Sequence, residues 1–234
     1  MIFKLDYETI YIFYALITLV NAYSLSLMWF EHRSRYKGLF HWVLYFLFKM
    51  TAYLLFLSTS IQDPLIFKLL PHEVKIVALI YLSFGFQYFL KIQKRCYMAI
   101  LFSVLHFLVL SYFTFIVDSL QYRLIFTTLT TIIVNVVLLI YIYRNTSVAQ
   151  RNVAKPALVV VMFMIQANIF RLIVLLTQDI SSKDIFVQPY WVGMTEVITI
   201  LLSIVMVVNL TRIVDRQLQH DIREQEKKFN LTFQ

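Results

Sequence analysis

Residues 189–211, PYWVGMTEVITILLSIVMVVNLT, decide the fold, because across this whole stretch the only charge is Glu196. The hydrocarbon core of a bilayer is about 30 Å thick, and roughly 20 mostly apolar helical residues cross it. Six further stretches have the same character: 7–30, 39–60, 74–92, 97–117, 121–143 and 153–177. The chain is 60% hydrophobic and 15% charged, with a mean hydropathy of +0.74, and its charges gather between the stretches. A soluble helical core would show charges recurring along every helix. An outer-membrane barrel would show alternation where this chain shows continuous apolar runs. The sequence therefore predicts an all-α membrane protein, a seven-transmembrane helix bundle over 1–211, with a tail, 212–234, too short to fold alone.

Net charge of +8 suggests nucleic acid until its distribution is read. Arg33, Arg35 and Lys37 fill the first loop, Lys91, Lys94 and Arg95 the third, and Arg144, Arg151 and Lys155 the fifth. The tail adds Arg212, Arg216, Arg223, Lys227 and Lys228. The alternate segments are neutral or acidic: Asp6 and Glu8 near Lys4, then Asp63, Lys68 and Glu73, Asp118 with Arg123, and Asp179, Lys183 and Asp184. Basic loops stay cytoplasmic, so the pattern predicts the N-terminus outside and the C-terminus in the cytoplasm, in an inner membrane. Nucleic acid is not an expected partner; the lipid bilayer is.

Trp29 and Trp42 flank the first basic loop, and Tyr190 with Trp191 opens the last span, as interfacial aromatics do. Pro64 and Pro71 are expected to bracket the second loop and Pro156 to open the sixth span. The start, MIFKLDYETI, lacks a basic leader and a cleavage site, so the first span is expected to remain. Cys96, beside Lys94 and Arg95, excludes an internal disulfide. Its ordinary role is a small interfacial residue, with palmitoylation the alternative.

Ionisable residues inside spans are functional candidates by default. Lys49, Arg171 and Glu196 stand out, Glu196 as the one carboxylate well inside a span. Arg171 lies about 9 Å, and Glu196 about 10 Å, from the same membrane face at 1.5 Å per residue. An ion pair between neighbouring antiparallel helices is one expectation; separate reach toward the interface is the other. Lys49 is too deep for either exit, so it awaits backbone carbonyls or an anionic ligand. His106, Asn135, Gln166 and Asn168 lie near mid-span, with Asn21 and Gln87 nearer the cytoplasm. Such residues commonly join helices. Alternatively, His106, Gln166, Asn168 and Arg171 line one cavity. No second His or Cys accompanies His106 at ligand spacing, so neither a metal nor another cofactor is expected. The aromatic clusters Phe84, Phe86, Tyr88, Phe89 and Tyr112, Phe113, Phe115 serve either as filler or as walls of an apolar pocket.

After Asn209 the helix is expected to continue through LTRIVDRQLQHDIREQEKKFN without Gly or Pro. Thr211, Asp215, Leu218, Ile222, Gln225 and Phe229 alternate four and three apart, the seam of a two-stranded coil. Leu218, Ile222 and Phe229 are its apolar members, and a homodimer is the expected assembly. A solvated helix lying on the membrane is the competing expectation. Gln234 is expected to be an internal boundary rather than a natural terminus.

Trp29–Phe30, a basic loop with Gly38, Trp42 opening span two, and Pro71 to Lys94 with Gly85 in ALIYLSFGFQYFLKIQK together resemble one class of membrane region. These residues are similar to the seven-helix sensor regions of bacterial signalling proteins, fused to diguanylate cyclase or histidine kinase modules. EQEKKFNLTFQ resembles a linker helix entering a PAS domain. The resemblance implies a sensory module that passes a stimulus, a small apolar or anionic ligand, through span seven to a cytoplasmic output domain. It implies no catalysis by this stretch itself. A retinal protein would need a lysine in the last span, which has none. A membrane enzyme would need clustered catalytic groups. A transporter, the alternative function, would favour Gly- and Pro-broken helices, and the chain has only 3 Gly.

Overall fold

A computed structural model describes residues 6–58, 65–92, 96–178 and 189–232. Within them the chain forms seven helices: α1 (Tyr7–His32), α2 (Gly38–Ser58), α3 (Leu65–Phe89), α4 (Cys96–Phe115), α5 (Leu120–Asn145), α6 (Val148–Thr177) and α7 (Tyr190–Thr232). Six of them, all but α4, are long and apolar enough to cross a membrane, which makes this a multi-pass membrane protein. In α4 the described apolar stretch, Ala99–Phe115, is shorter.

The packing explains that division. Neighbour contacts run α1–α2–α3–α5–α6–α7 and back to α1, closing a ring of the six long helices. Among the described residues α4 touches α3 and α5 alone, so it sits outside the ring against their seam. Its buried residues, His106, Leu110 and Thr114, recur every four positions and form one stripe, while Leu101, Leu105 and Leu108 face outward. A helix seated in a groove buries one stripe, whereas a ring helix must bury two flanks.

Two glycines set the α2–α3 approach. A Cβ on Gly38 would stand 2.5 Å from the Gly85 carbonyl oxygen, and one on Gly85 would run into Trp42 Cδ1. Small residues let membrane helices close to backbone contact, and packing then supplies the attraction that water cannot. Trp42, fully buried, lies across Gly85 between Phe86 and Phe89.

Helix ends follow local chemistry. Asp6 caps α1 by accepting from the Glu8 N–H at 3.2 Å. Ser147 and Gln150 form a reciprocal capping box on α6, which satisfies two of the N–H groups a helix start leaves over. The Gln150 amide also donates to the Leu90 carbonyl at 3.0 Å, tying the start of α6 to the end of α3. Two expected boundaries are corrected. Pro71 does not close the second loop but sits inside α3, and Pro156 lies within α6, eight residues beyond its start. Each proline forfeits one bond to the carbonyl four residues back, yet both helices run on past it. Pro64, Lys94 with Arg95, Asp179 to Asp184, and Gln234 lie outside the described residues.

The tail remains helical. α7 runs unbroken over 43 residues from Tyr190, so the apolar span and the charged segment are one rod. Beside the α1–α2 turn, Tyr36 donates to Asp221 Oδ2 at 2.8 Å, and Gln217 donates to the other carboxylate oxygen at 2.9 Å. The tail is thus fastened to the bundle where it leaves it.

Candidate functional site

A polar cluster fills the half of the ring remote from the tail. Arg171 on α6 donates through Nη1 to Glu196 Oε1 on α7, with both residues buried at 6% and 2% exposure. The pairing follows from the equal depths of the two residues on adjacent antiparallel helices. Tyr53 on α2 donates to the second carboxylate oxygen at 3.4 Å. Its ring stacks on Tyr14 of α1 at 3.8 Å between centroids, and Tyr11 lies 5.7 Å away. Glu196 therefore gathers α1, α2 and α6 around α7.

Lys49 has a different partner. Its Nζ lies 5.0 Å from the Tyr14 ring centre and 5.3 Å from that of Tyr45. A desolvated cation against aromatic faces gains about 2 kcal/mol, so two tyrosine faces hold the ammonium where carbonyls or an anion were expected. The tyrosines on α1 recur at positions 7, 11 and 14, all buried, and form the aromatic wall of the cluster.

Two small voids separate these groups. One, about 10 Å³, is lined by Lys75, Arg171, Glu196, His72 and Tyr11 among others. The second, about 20 Å³, is lined by Lys49, Lys75, Asn135, Asn168 and Arg171. Each is close to the volume of a single water. Lys49, Lys75 and Arg171 thus surround the voids with one carboxylate, Glu196, between them. Three cations and one anion in a low-dielectric interior form a charge-sensitive centre. Removing or adding one anion there alters the balance among four helices.

Of the expected site residues, the fold brings together Lys49, Asn168, Arg171 and Glu196. Asn168 bonds Met164 of its own helix at 2.7 Å and turns its flank to the larger void. Two expectations are corrected. Gln166 is exposed on the outer face of α6, since two residues from Asn168 means about 200° around the helix. His106 is on α4, outside the ring, where its Nδ1 meets Glu73 Oε1 at 2.7 Å and its ring stacks on Phe126 at 5.1 Å. It is the polar joint that seats α4, and it lines neither of the two voids beside Arg171. Glu73, expected in a loop, lies on α3 within the apolar segment, so Glu196 is not the sole carboxylate there.

Lys75 went unrecognised because it stands next to the expected span boundary. Its spacing carried a signal: Lys75, Leu79, Leu82 and Phe86 share one face of α3, and the last three are buried. Arg123, which counts by sequence among the external-side charges, is 2% exposed in the first turn of α5. Among the described residues no group of His, Cys, Asp and Glu is arranged to hold a metal ion. The chain matches no protein-family model, no curated protein and no solved structure.

Proposed function

We propose that this chain is the membrane-embedded sensory module of a bacterial receptor, with α7 as the element that carries the signal out. One observation carries the reading: a single helix, Tyr190–Thr232, holds Glu196 in the buried charge centre and the fastened tail at its other end. A shift in charge balance at Glu196 biases the position of a rod that has no break at which to dissipate the motion. Leu218 and Ile222 lie about 33 and 39 Å from Glu196 along that rod at 1.5 Å per residue.

In this reading the chain crosses the inner membrane seven times, with α4, 20 residues and so about 30 Å long, crossing alongside the six longer helices. The N-terminus is outside and the basic loops are cytoplasmic. Two copies meet in parallel along the tail seam of Leu218, Ile222 and Phe229. Ile222 and Phe229 are 44% and 64% exposed, apolar residues set among the charges of the tail. The seam delivers its rotation to a PAS, diguanylate cyclase or histidine kinase output domain. The two voids at the charge centre, about 10 and 20 Å³, are each too small for a solute larger than water, which favours a sensor over the transporter alternative.

Phase insertions in the full-length protein test the reading. Two residues added after Arg216 rotate the downstream seam by about 200°, whereas seven return it to within about 20°. Output activity should change with two and be kept with seven, at equal membrane insertion. Equal output from both insertions would overturn the proposal. Flux of a labelled solute through liposomes of the purified chain would replace it with the transporter.

A further inference from the structure

A larger cavity lies away from the charge centre, where α4 leans against α3 and α5. Its volume is about 380 Å³, within the roughly 300–1,000 Å³ range of small-molecule sites. Its walls are Ile80 and Phe84 from α3, Phe102 from α4, and Val134 and Leu138 from α5. The cavity lies where the described part of α4 is less covered. His106, Leu110 and Thr114 are buried, while Ala99 and Phe102, toward the tail end, are only partly covered. A helix fastened at one half and loose at the other opens a wedge. Val137, 57% exposed, borders the wedge and opens it onto the apolar outer surface.

One wall residue does not suit an empty apolar wedge. Gln87 is 8% exposed, and its Oε1 is buried with no hydrogen-bond partner among the described residues. The neighbouring Ser83 hydroxyl is already spent, donating to the Leu79 carbonyl at 3.1 Å. An enclosed acceptor without a donor costs free energy that a ligand donor would recover. Position adds direction. Gln87 stands two residues from the tail-end terminus of α3, level with Tyr141 on α5, four residues from its own terminus. Ile80 and Val134 lie about 10 Å deeper, seven residues along the same helices. A polar acceptor at the interface and an apolar groove running inward reproduce the layout of a single-chain amphiphile.

We propose that this cavity binds one single-chain lipid amphiphile with an uncharged, hydrogen-bond-donating head, the head hydroxyl donating to Gln87 Oε1 and the chain lying against Phe84, Phe102 and Val134. The molecule enters sideways from the bilayer past Val137. Among the described residues lining the cavity none is charged, so a charged head would be desolvated against this wall without a counter-ion from them. The inference stands apart from the signalling role, since it uses none of the charge-centre residues.

The probe is a hexadecanol carrying a mid-chain photoreactive diazirine, added to the full chain in phosphatidylcholine nanodiscs. Saturable labelling should map to the segments around Phe84, Phe102 and Val134. Unlabelled hexadecanol should compete about five- to tenfold better than its methyl ether, which cannot donate a hydrogen bond. Gln87→Leu should erase that preference while the ether still competes, which keeps a folding defect distinguishable. Ala99→Trp should suppress labelling by filling the wedge. Labelling that fails to saturate and spreads over Leu101, Leu105 and Leu108 would overturn the site. Equal competition by alcohol and ether would overturn the role of Gln87 and with it the proposal.

Discussion

Neutralising either member of the Arg171–Glu196 pair should have unequal consequences, because the charges around them are unequal. Both side chains are buried, and removing one partner of a buried ion pair costs about 3–5 kcal/mol through the charge left behind. Glu196→Gln leaves Arg171 facing Lys49 and Lys75 with no carboxylate beside the voids. Arg171→Met leaves Glu196 with Lys75 across the smaller void. A unit charge at roughly 10 Å and an effective dielectric of about 20 is worth about 1.7 kcal/mol. The arginine variant should therefore be milder by about that amount. For a chain of this length each kcal/mol moves the unfolding midpoint by about 2–4 °C. Glu196→Gln should lower it by about 6–20 °C, Arg171→Met by several degrees less, and the double variant by less than Glu196→Gln alone. The assay is thermal unfolding in nanodiscs, followed by tryptophan fluorescence. Equal losses from the two single variants, or additive losses in the double, would refute the reasoning that an excess of cations governs the site.

Gly85→Leu should prevent folding and Gly85→Ala should destabilise by about 1–3 kcal/mol, the usual cost of overpacking, because Trp42 has no room to retreat; the shift in its fluorescence reports the displacement. His106→Leu should loosen α4 while sparing the ring, seen as faster hydrogen exchange confined to Ala99–Phe115. Reporter fusions at Lys37 and Arg151 should read as cytoplasmic and one at Asp118 as external. Burial, together with the Asp221 carboxylate to which it donates, pushes the Tyr36 phenol from its ordinary 10 up to about 12. The tether is therefore at full strength below pH 10 and is lost as pH rises through about 12. A spin label at Gln219 should stay immobile from pH 6 to 9, and should be mobile throughout that range in Tyr36→Phe.

The helices were legible because lipid demands long apolar runs, and Arg171 with Glu196 was legible because depth along a helix follows from counting residues. What the sequence withheld is lateral. Hydropathy is the same whether a helix closes a ring or leans on its outside, so nothing in the composition of α4 sets it apart from its neighbours. Lys75 and Arg123 stand near span ends, where a charge is ordinarily wet, yet Lys75 lines the smaller void and Arg123 is buried. Gln166 shows the converse: a polar residue mid-span faces outward because its angle, fixed by Asn168, leaves no alternative. Gly38, Trp42 and Gly85, scattered in the sequence, converge in one contact. No local pattern states which glycine meets which tryptophan.

Disulfide formation between α7 tails in membranes tests the central claim most directly, with Cys96 replaced by serine and single cysteines at Leu218 and Ile222. Two copies that meet along this seam should crosslink at both positions. If α7 transmits the state of the charge centre, Glu196→Gln should change the ratio of the two crosslinking rates, although the substitution lies about 33 Å from the nearer cysteine. An unchanged ratio in a folded Glu196→Gln protein, or no crosslinking at either position in the full-length protein, would contradict the account.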